Sequence, residues 1–255
     1  AIYNATGIQF LPFNTLYSFY AQAKAGPELL EAAEQLLFIP DLLHYWLSGK
    51  QSVEATIAST SQMIDCRTGR WANELIAGLD LPERLLGEIS PPGTTLGTLR
   101  PEIAEAVDLP TDTTVVLPPA HDTASAVAAV PADPQQSGCF LASGTWSLLG
   151  AELAEPCTSD AARAAMFTNE LGVGGRYRFL KNISGLWLVQ ECRRDYARQG
   201  EEYDYAALTE QAAAAEPFRT LVNPNHPSFG QPGGMLEKMK THAAELGEPL
   251  PETPG

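Results

Sequence analysis

Apolar residues recur at three- and four-residue intervals in "PELLEAAEQLLF" (27–38), where Leu29, Leu30, Ala33, Leu36 and Leu37 would share a helix face. Pro27 suits a first helical turn, so the spacing predicts a helix over 27–38. A second helix is predicted over "PDLLHYWLSG" (40–49), stopped at Gly49, a residue type that accepts the left-handed backbone closing many helices. His44 lies inside it beside Tyr45 and Trp46 and reads as a packed or surface histidine, not a ligand. The stretch 53–64, "VEATIASTSQMI", is rich in small and hydroxyl side chains and fits a helix packed closely on a neighbour. From Pro91, "PPGTTLGTLRPEIAEAVDLP" predicts a turn, a short extended piece and a short helix. The apolar run Val115–Leu117 then reads as a buried strand that breaks at Pro118 and Pro119, and Asp122 opens the helical pattern "TASAVAAV".

Beyond residue 138 the period changes. "CFLASGTWSLLGAEL" (139–153) reads as two strands joined at a Ser-Gly-Thr turn, and "RYRFLKNI" (176–183) as a further strand. "GLWLVQECRRDYARQ" predicts an amphipathic helix with Leu186, Val189, Cys192 and Tyr196 along one stripe. "YAALTEQAAAAE" and "GMLEKMKTHAAELG" supply two more helices. Strands and helices intermix along the chain, so the expected class is α/β.

Composition narrows the function. With 255 residues, 44% of them hydrophobic and 18% charged, the chain can bury a substantial core in one large domain or two smaller ones. A net charge of −15 argues against a nucleic-acid partner, which requires a basic footprint. Cys66, Cys139, Cys157 and Cys192 form no C-x-x-C pair, so reduced thiols in a cytoplasmic protein are expected. No apolar run approaches the roughly 20 residues that span a bilayer, and no membrane partner is expected. The chain opens without Met on "AIYNATGIQF" and stops at "EPLPETPG", which reads as an internal segment of a longer protein.

Three short constellations carry candidate chemistry. Asp122 stands where a strand hands over to a helix, the edge at which open α/β sheets bind ligands. Its bland role is a helix N-cap; its sharper role is a general base facing a cleft. His121 is either an orienting group for a polar substrate or the solvent-facing end of the strand. In "SGTWS" (143–147), Gly144 and the hydroxyl of Thr145 offer donors to phosphate oxygens, against a purely structural hairpin turn. In "KNISGLWLVQECRR" (181–194), Asn182 and Gln190 present two amides, against a helix with Trp187 and Leu188 in the core and Gln190 solvated. Neither G-x-x-x-x-G-K-[ST] nor G-x-G-x-x-G after a strand is present, and "GVGG" (172–175) is too short to replace them. A hydrolase built on the His-Asp pair lacks a G-x-S-x-G nucleophile elbow.

The order of these stretches resembles the FGGY carbohydrate kinases. "GIQFLPFNTLY" (7–17), "PDLLHYWLSG" (40–49), "PPGTTLG" (91–97), "HDTASAVAAVP" (121–131), "SGTWSLLG" (143–150) and "TNELGVGGRYRFLKNISGLWLVQECRR" (168–194) carry the likeness over nearly the whole chain. The resemblance implies a two-domain α/β fold of the actin and hexokinase type with ribonuclease-H-like cores. It assigns residues 1–130 to the latter part of the N-terminal, sugar-side domain and 131–255 to the first part of the C-terminal, nucleotide-side domain. It implies ATP and Mg2+ as cofactors and a ketose as substrate, L-rhamnulose foremost. Asp122 is then the catalytic base, His121, Asp122, Thr123 and Asn182 touch the sugar, and Gly144, Thr145 and Gln190 face ATP. The alternatives are a kinase of another ketose or polyol, or a non-catalytic sugar-binding relative. The family's N-terminal Asp-Gly phosphate loop and C-terminal Gly-rich adenine segment have no counterpart here. The segment alone is therefore expected to turn over no sugar and to be poorly soluble.

Overall fold

The computed structural model describes residues 1–131 and 138–254. Helices and strands intermix along the chain, as expected of the α/β class, in two compact units. One unit comprises Ala1–Phe140 and Leu149–Lys181, the other Leu141–Leu148 and Asn182–Gly255. The expected domain boundary near 130 adjoins residues 132–137, which lie outside the described residues.

Three apolar clusters organise the first unit. Leu16 and Phe19 of the helix Thr15–Ala25 pack with Met63, Ile76, Leu81 and Leu85. Val53, Ala58 and Ile64 form a second cluster beside the parallel pair Val53–Glu54 and Ile89–Ser90. Leu99, Ala104 and Val115 form a third beside the antiparallel pair Thr95–Thr98 and Thr114–Val116. The apolar run at 115–117 is thus one strand of a two-stranded ribbon, not a strand covered on both faces. Val115 and Leu117 are buried, while Val116 between them is 47% exposed.

The sequence pattern overestimates two helices. The one predicted over 27–38 ends at Ala32, and Ala33 is already extended. Tertiary pairing wins over helical periodicity there, because Leu36 bridges to Leu86 and its N–H donates to the Leu85 carbonyl at 2.8 Å. Over 53–64 only Ala55–Ser59 is α-helical. The hydroxyls of Ser59, Thr60 and Ser61 donate back to the carbonyls of Thr56, Ile57 and Ala58 at 2.6–2.8 Å, closing the turn instead of extending it. The helix Ile39–Ser48 closes on Gly49 at φ 71°, as predicted.

A hairpin completes this unit. Phe167–Leu171 runs antiparallel to Tyr177–Ser184, with Leu171 opposite Tyr177 and Glu170 opposite Arg178. Gly150 lies so close to the latter strand that a Cβ would sit 2.5 Å from the Phe179 carbonyl oxygen.

The second unit packs Leu188 of the helix Trp187–Arg198 against Phe229 and Met235. The buried positions of that helix are Leu188, Glu191 and Asp195, a face beside the predicted stripe. The buried carboxylates pack inward because they have donors. Glu191 accepts from Gly233 N–H at 2.8 Å, and Asp195 accepts from Gly234 and Leu236 N–H at 3.2 Å each, satisfying the open amides that begin the helix Met235–Leu246. Burial raises both carboxyls, but these amides with Arg194 and Arg198 bring them below the ordinary carboxylate range. Leu186, Val189, Cys192 and Tyr196 instead line an open groove of about 770 Å³, with Leu208 and Met239 opposite. Among the described residues no helix is long and apolar enough to cross a membrane.

Candidate active site

In the first unit the candidate site rests on a buried polar base. Glu54, fully buried, caps the helix Ala55–Ser59 by accepting from Thr56 and Ile57 N–H at 3.0 and 3.1 Å. The same carboxylate accepts the Thr56 hydroxyl at 2.6 Å and, across 66 residues of sequence, the Ala120 N–H at 3.0 Å. Thr56 Oγ1 accepts the His121 N–H at 3.1 Å. Two consecutive amides of the loop before Asp122 are therefore tied to one short segment, which fixes where the following helix begins.

That helix is Asp122–Ala128, and its N-cap is His121, which makes no side-chain capping bond. Asp122 is the first helical residue, so the N-cap role expected of it is displaced by one position. Its Oδ1 accepts from Thr123 N–H at 2.6 Å, with the Thr123 hydroxyl at 3.4 Å, and the side chain is 95% exposed. Thr123 and Ala124 are buried, and the Ser125 hydroxyl donates to the Pro119 carbonyl at 2.6 Å, holding the helix on the loop that precedes it.

His121 is held between two carboxylates. Its Nε2 lies 3.6 Å from Asp122 Oδ1, and its Nδ1 lies 3.2 Å from Glu170 Oε2. Glu170 in turn meets Arg178 Nη2 at 2.9 Å, and the Arg178 side chain is wholly buried. Arg178 also donates through Nε and Nη2 to the Leu171 carbonyl. Burial alone would raise the Glu170 carboxyl, but the Arg178 guanidinium, with His121, holds it below the ordinary carboxylate range.

Beneath this base Asp41 accepts the Glu54 N–H at 3.0 Å. Burial, with the neighbouring Glu54 charge, pushes its pKa from 3.8 up to about 6 against the bonds from Glu54 and Phe38 N–H. The folded state thus holds this proton more tightly than the unfolded chain. Its contribution is complete below about pH 4 and lost as pH rises through about 6. Asp41→Asn keeps the acceptor and removes the charge. Relative to the parent it is expected to gain up to about 3 kcal/mol between pH 4 and pH 8, read as the change in the Tm difference at the two pH values. A pH-independent difference would refute the assignment.

In the second unit the hairpin turn at Gly144 and Thr145 abuts the start of the helix Trp187–Arg198. Gly144 O accepts from Leu186 N–H at 2.9 Å, and Thr145 O accepts from Gly185 and Trp187 N–H at 3.2 Å each. Gly185 permits this approach, since a Cβ there would fall 2.6 Å from Ser147 Oγ and 2.7 Å from Gly144 O. Thr145 is exposed and Gln190 half-buried one turn along the helix. Asn182 begins this unit's part of the strand Tyr177–Ser184, and its carbonyl accepts from Asn225 Nδ2 at 2.9 Å. His121, Asp122 and Thr123 thus belong to one unit, and Gly144, Thr145, Asn182 and Gln190 to the other.

Among the described residues one grouping has metal-ligand types, His226, His242 and Glu245, with ligand atoms within 4.8 Å of one another. Hydrogen bonding accounts for it. His242 Nε2 accepts from Asn223 N–H at 3.3 Å, so neutral His242 carries its proton on Nδ1, which faces Glu245 at 3.3 Å. Binding a metal through Nδ1 would move that proton to Nε2 and set it against the Asn223 N–H.

The residues that sequence reasoning missed are Glu54, Thr56, Glu170 and Arg178. The last two carried a readable signal. "ELGVGGRYR" places an acid and a base symmetrically about a glycine-rich turn, which pairs them in a hairpin.

A family model for the N-terminal domain of the FGGY family of carbohydrate kinases matches residues 1–129, and one for its C-terminal domain matches residues 139–247. The chain belongs to the FGGY family of carbohydrate kinases. It is 40% identical over 253 residues to a rhamnulokinase of Oceanobacillus iheyensis, covering 99% of this chain and 52% of that protein. It is likewise 40% identical to a rhamnulokinase of Halalkalibacterium halodurans, covering 100% of this chain and 53% of the relative. The chain spans about half the length of the curated relatives it matches. Among solved structures, ligand-bound xylulose kinase from Lactobacillus acidophilus superposes with a TM-score of 0.70 at 18% identity, covering 84% of this chain and 42% of that one. Plasmodium falciparum glycerol kinase with ADP gives 0.62 at 14% identity, covering 88% and 46%. The fold is that of the two-domain FGGY sugar kinases.

Proposed function

We propose that this chain forms part of an ATP-dependent ketose kinase, converting L-rhamnulose to L-rhamnulose 1-phosphate in the cytoplasm. Likeness to rhamnulokinases over essentially the whole chain supports the substrate. The observation that carries the chemistry is the Asp122 carboxylate, 95% exposed on a helix start whose backbone is anchored by buried Glu54 and Thr56. Phosphoryl transfer needs little from the protein beyond positioning, charge stabilisation and one base. In this reading Asp122 takes the proton of the attacking sugar hydroxyl as the oxygen closes on the γ-phosphorus. His121 and Asn182 bind sugar hydroxyls. Thr123 is buried with its N–H and hydroxyl on Asp122 Oδ1, so it orients the base as well as bordering the sugar. Residues 1–130 supply the sugar side and 131–255 the nucleotide side, where Gly144, Thr145 and Gln190 face ATP.

Magnesium takes oxygen ligands and keeps several waters. The nitrogen-rich grouping at His226 does not suit it, and no other cluster of ligand type occurs among the described residues. In this reading the ion accompanies the nucleotide phosphates, and no step runs through a metal held by these residues.

Thr145→Val tests the nucleotide assignment. It removes a hydroxyl donor at nearly constant volume and is expected to weaken ATP by about 0.5–3 kcal/mol with little change for the sugar. Equal effects on the two substrates, measured as separate KM values in an active form of the protein, would move Thr145 away from the phosphates.

A further inference from the structure

Glu170 and Arg178 are expensive to bury, and packing alone does not explain their arrangement. A like-sized apolar pair would fill the hairpin at lower cost, since burying two charges forfeits their hydration. Three buried polar atoms meet in this one place without an aligned hydrogen bond: His121 Nδ1, Glu170 Oε2 and Arg178 Nη1. His121 Nδ1 and Glu170 Oε2 are nonetheless only 3.2 Å apart, and the ring itself is largely covered. Such contacts in a ligand-free site commonly lie off-line and align when substrate arrives.

We propose that Glu170, anchored by Arg178, is a positioning residue that fixes the ring orientation and tautomer of His121 and thereby the direction His121 Nε2 presents to the sugar. An ionised Glu170 only accepts, and it is buried and nearer the ring, 3.2 Å from Nδ1, than the exposed and hydrated Asp122 carboxylate, 3.6 Å from Nε2, so the proton of neutral His121 belongs on Nδ1. Nε2 is then left as an acceptor on the side of Asp122, where a sugar hydroxyl donates to it. Arg178 keeps Glu170 from turning toward another donor, with its own orientation set by the Leu171 carbonyl. The proposal rests on the reading of His121 as a sugar-binding residue.

Imidazole ¹⁵N spectra of the 255-residue chain test the tautomer without any turnover, with His121→Asn to assign the signal. The parent is expected to show the Nδ1–H form of His121, and Glu170→Gln a mixture or the Nε2–H form. In an active form of the protein, Glu170→Gln is expected to raise the sugar KM about tenfold while the ATP KM stays within about twofold. An unchanged tautomer, or equal shifts in both KM values, overturns the proposal. Glu170→Asp provides the second variant where Gln does not fold: it keeps the charge on Arg178 but withdraws the carboxylate from His121, and parent-like spectra and sugar KM would again overturn the idea. A full-length protein carrying this segment that shows the expected tautomer yet does not phosphorylate L-rhamnulose would remove the functional reading and leave the control of the His121 ring standing.

Discussion

In an active form of the protein, Asp122→Asn is expected to lower kcat by about 10²–10⁴ while the melting temperature stays near that of the parent. The amide matches the carboxylate in size but cannot take the proton of the attacking hydroxyl. The loss is felt in the transition state, so the sugar KM should move far less than kcat. Little folding energy is at stake, because the side chain is 95% exposed and the N-cap position belongs to His121. The alternative is as definite. If the carboxylate serves mainly to complement the helix start, kcat will be nearly normal and the melting point lowered, and the proposed mechanism falls.

The second large effect is on stability. Arg178→Met preserves most of the stem volume but leaves Glu170 buried opposite no cation, a loss expected to cost about 3–5 kcal/mol in urea unfolding. Replacing both residues, as Arg178→Met with Glu170→Gln, should restore a substantial part, because no charge then remains to be neutralised. The two sites face each other directly across the hairpin, so strong non-additivity is the expected signature. A single-variant cost below about 1 kcal/mol would mean that solvent reaches the pair, contrary to the complete burial of Arg178.

Several features were legible from residue pattern alone. The Gly49 stop, the turn at Gly144 and Thr145, and the helix Trp187–Arg198 follow from local rules, namely the left-handed tolerance of glycine and the 3.6-residue period. The failures share one cause. Leu36 leaves its helix to bridge Leu86, and Glu191 and Asp195 turn inward to meet amides some 40 residues away. Neither partner can be seen in a local window. The candidate site divides the same way. The sequence "HDTASA" marks His121 and Asp122, yet what holds them is Glu54 and Thr56 from 65 or 66 residues earlier and Glu170 from a later hairpin. Buried charges of this kind oppose the usual equation of polar with exposed, and only long-range pairing reveals why they are tolerated.

The first unit draws its chain from both sides of residues 132–137, and this bears on how it is made. Tyr3 donates to the Phe167 carbonyl, Gln9 to the carbonyls of Arg163 and Phe167, and Asn169 N–H to the Gly7 carbonyl, so the earliest residues are completed by some of the latest in that unit. On the ribosome, residues 1–131 emerge well before Lys181, a gap of roughly 50 residues, which takes about 3–10 s at ordinary elongation rates of about 5–20 residues per second. During that interval Tyr3, Gln9 and His121 lack their later partners. The nascent chain should therefore be sensitive to protease and dependent on chaperone holding until the hairpin carrying Glu170 and Arg178 has cleared the exit tunnel.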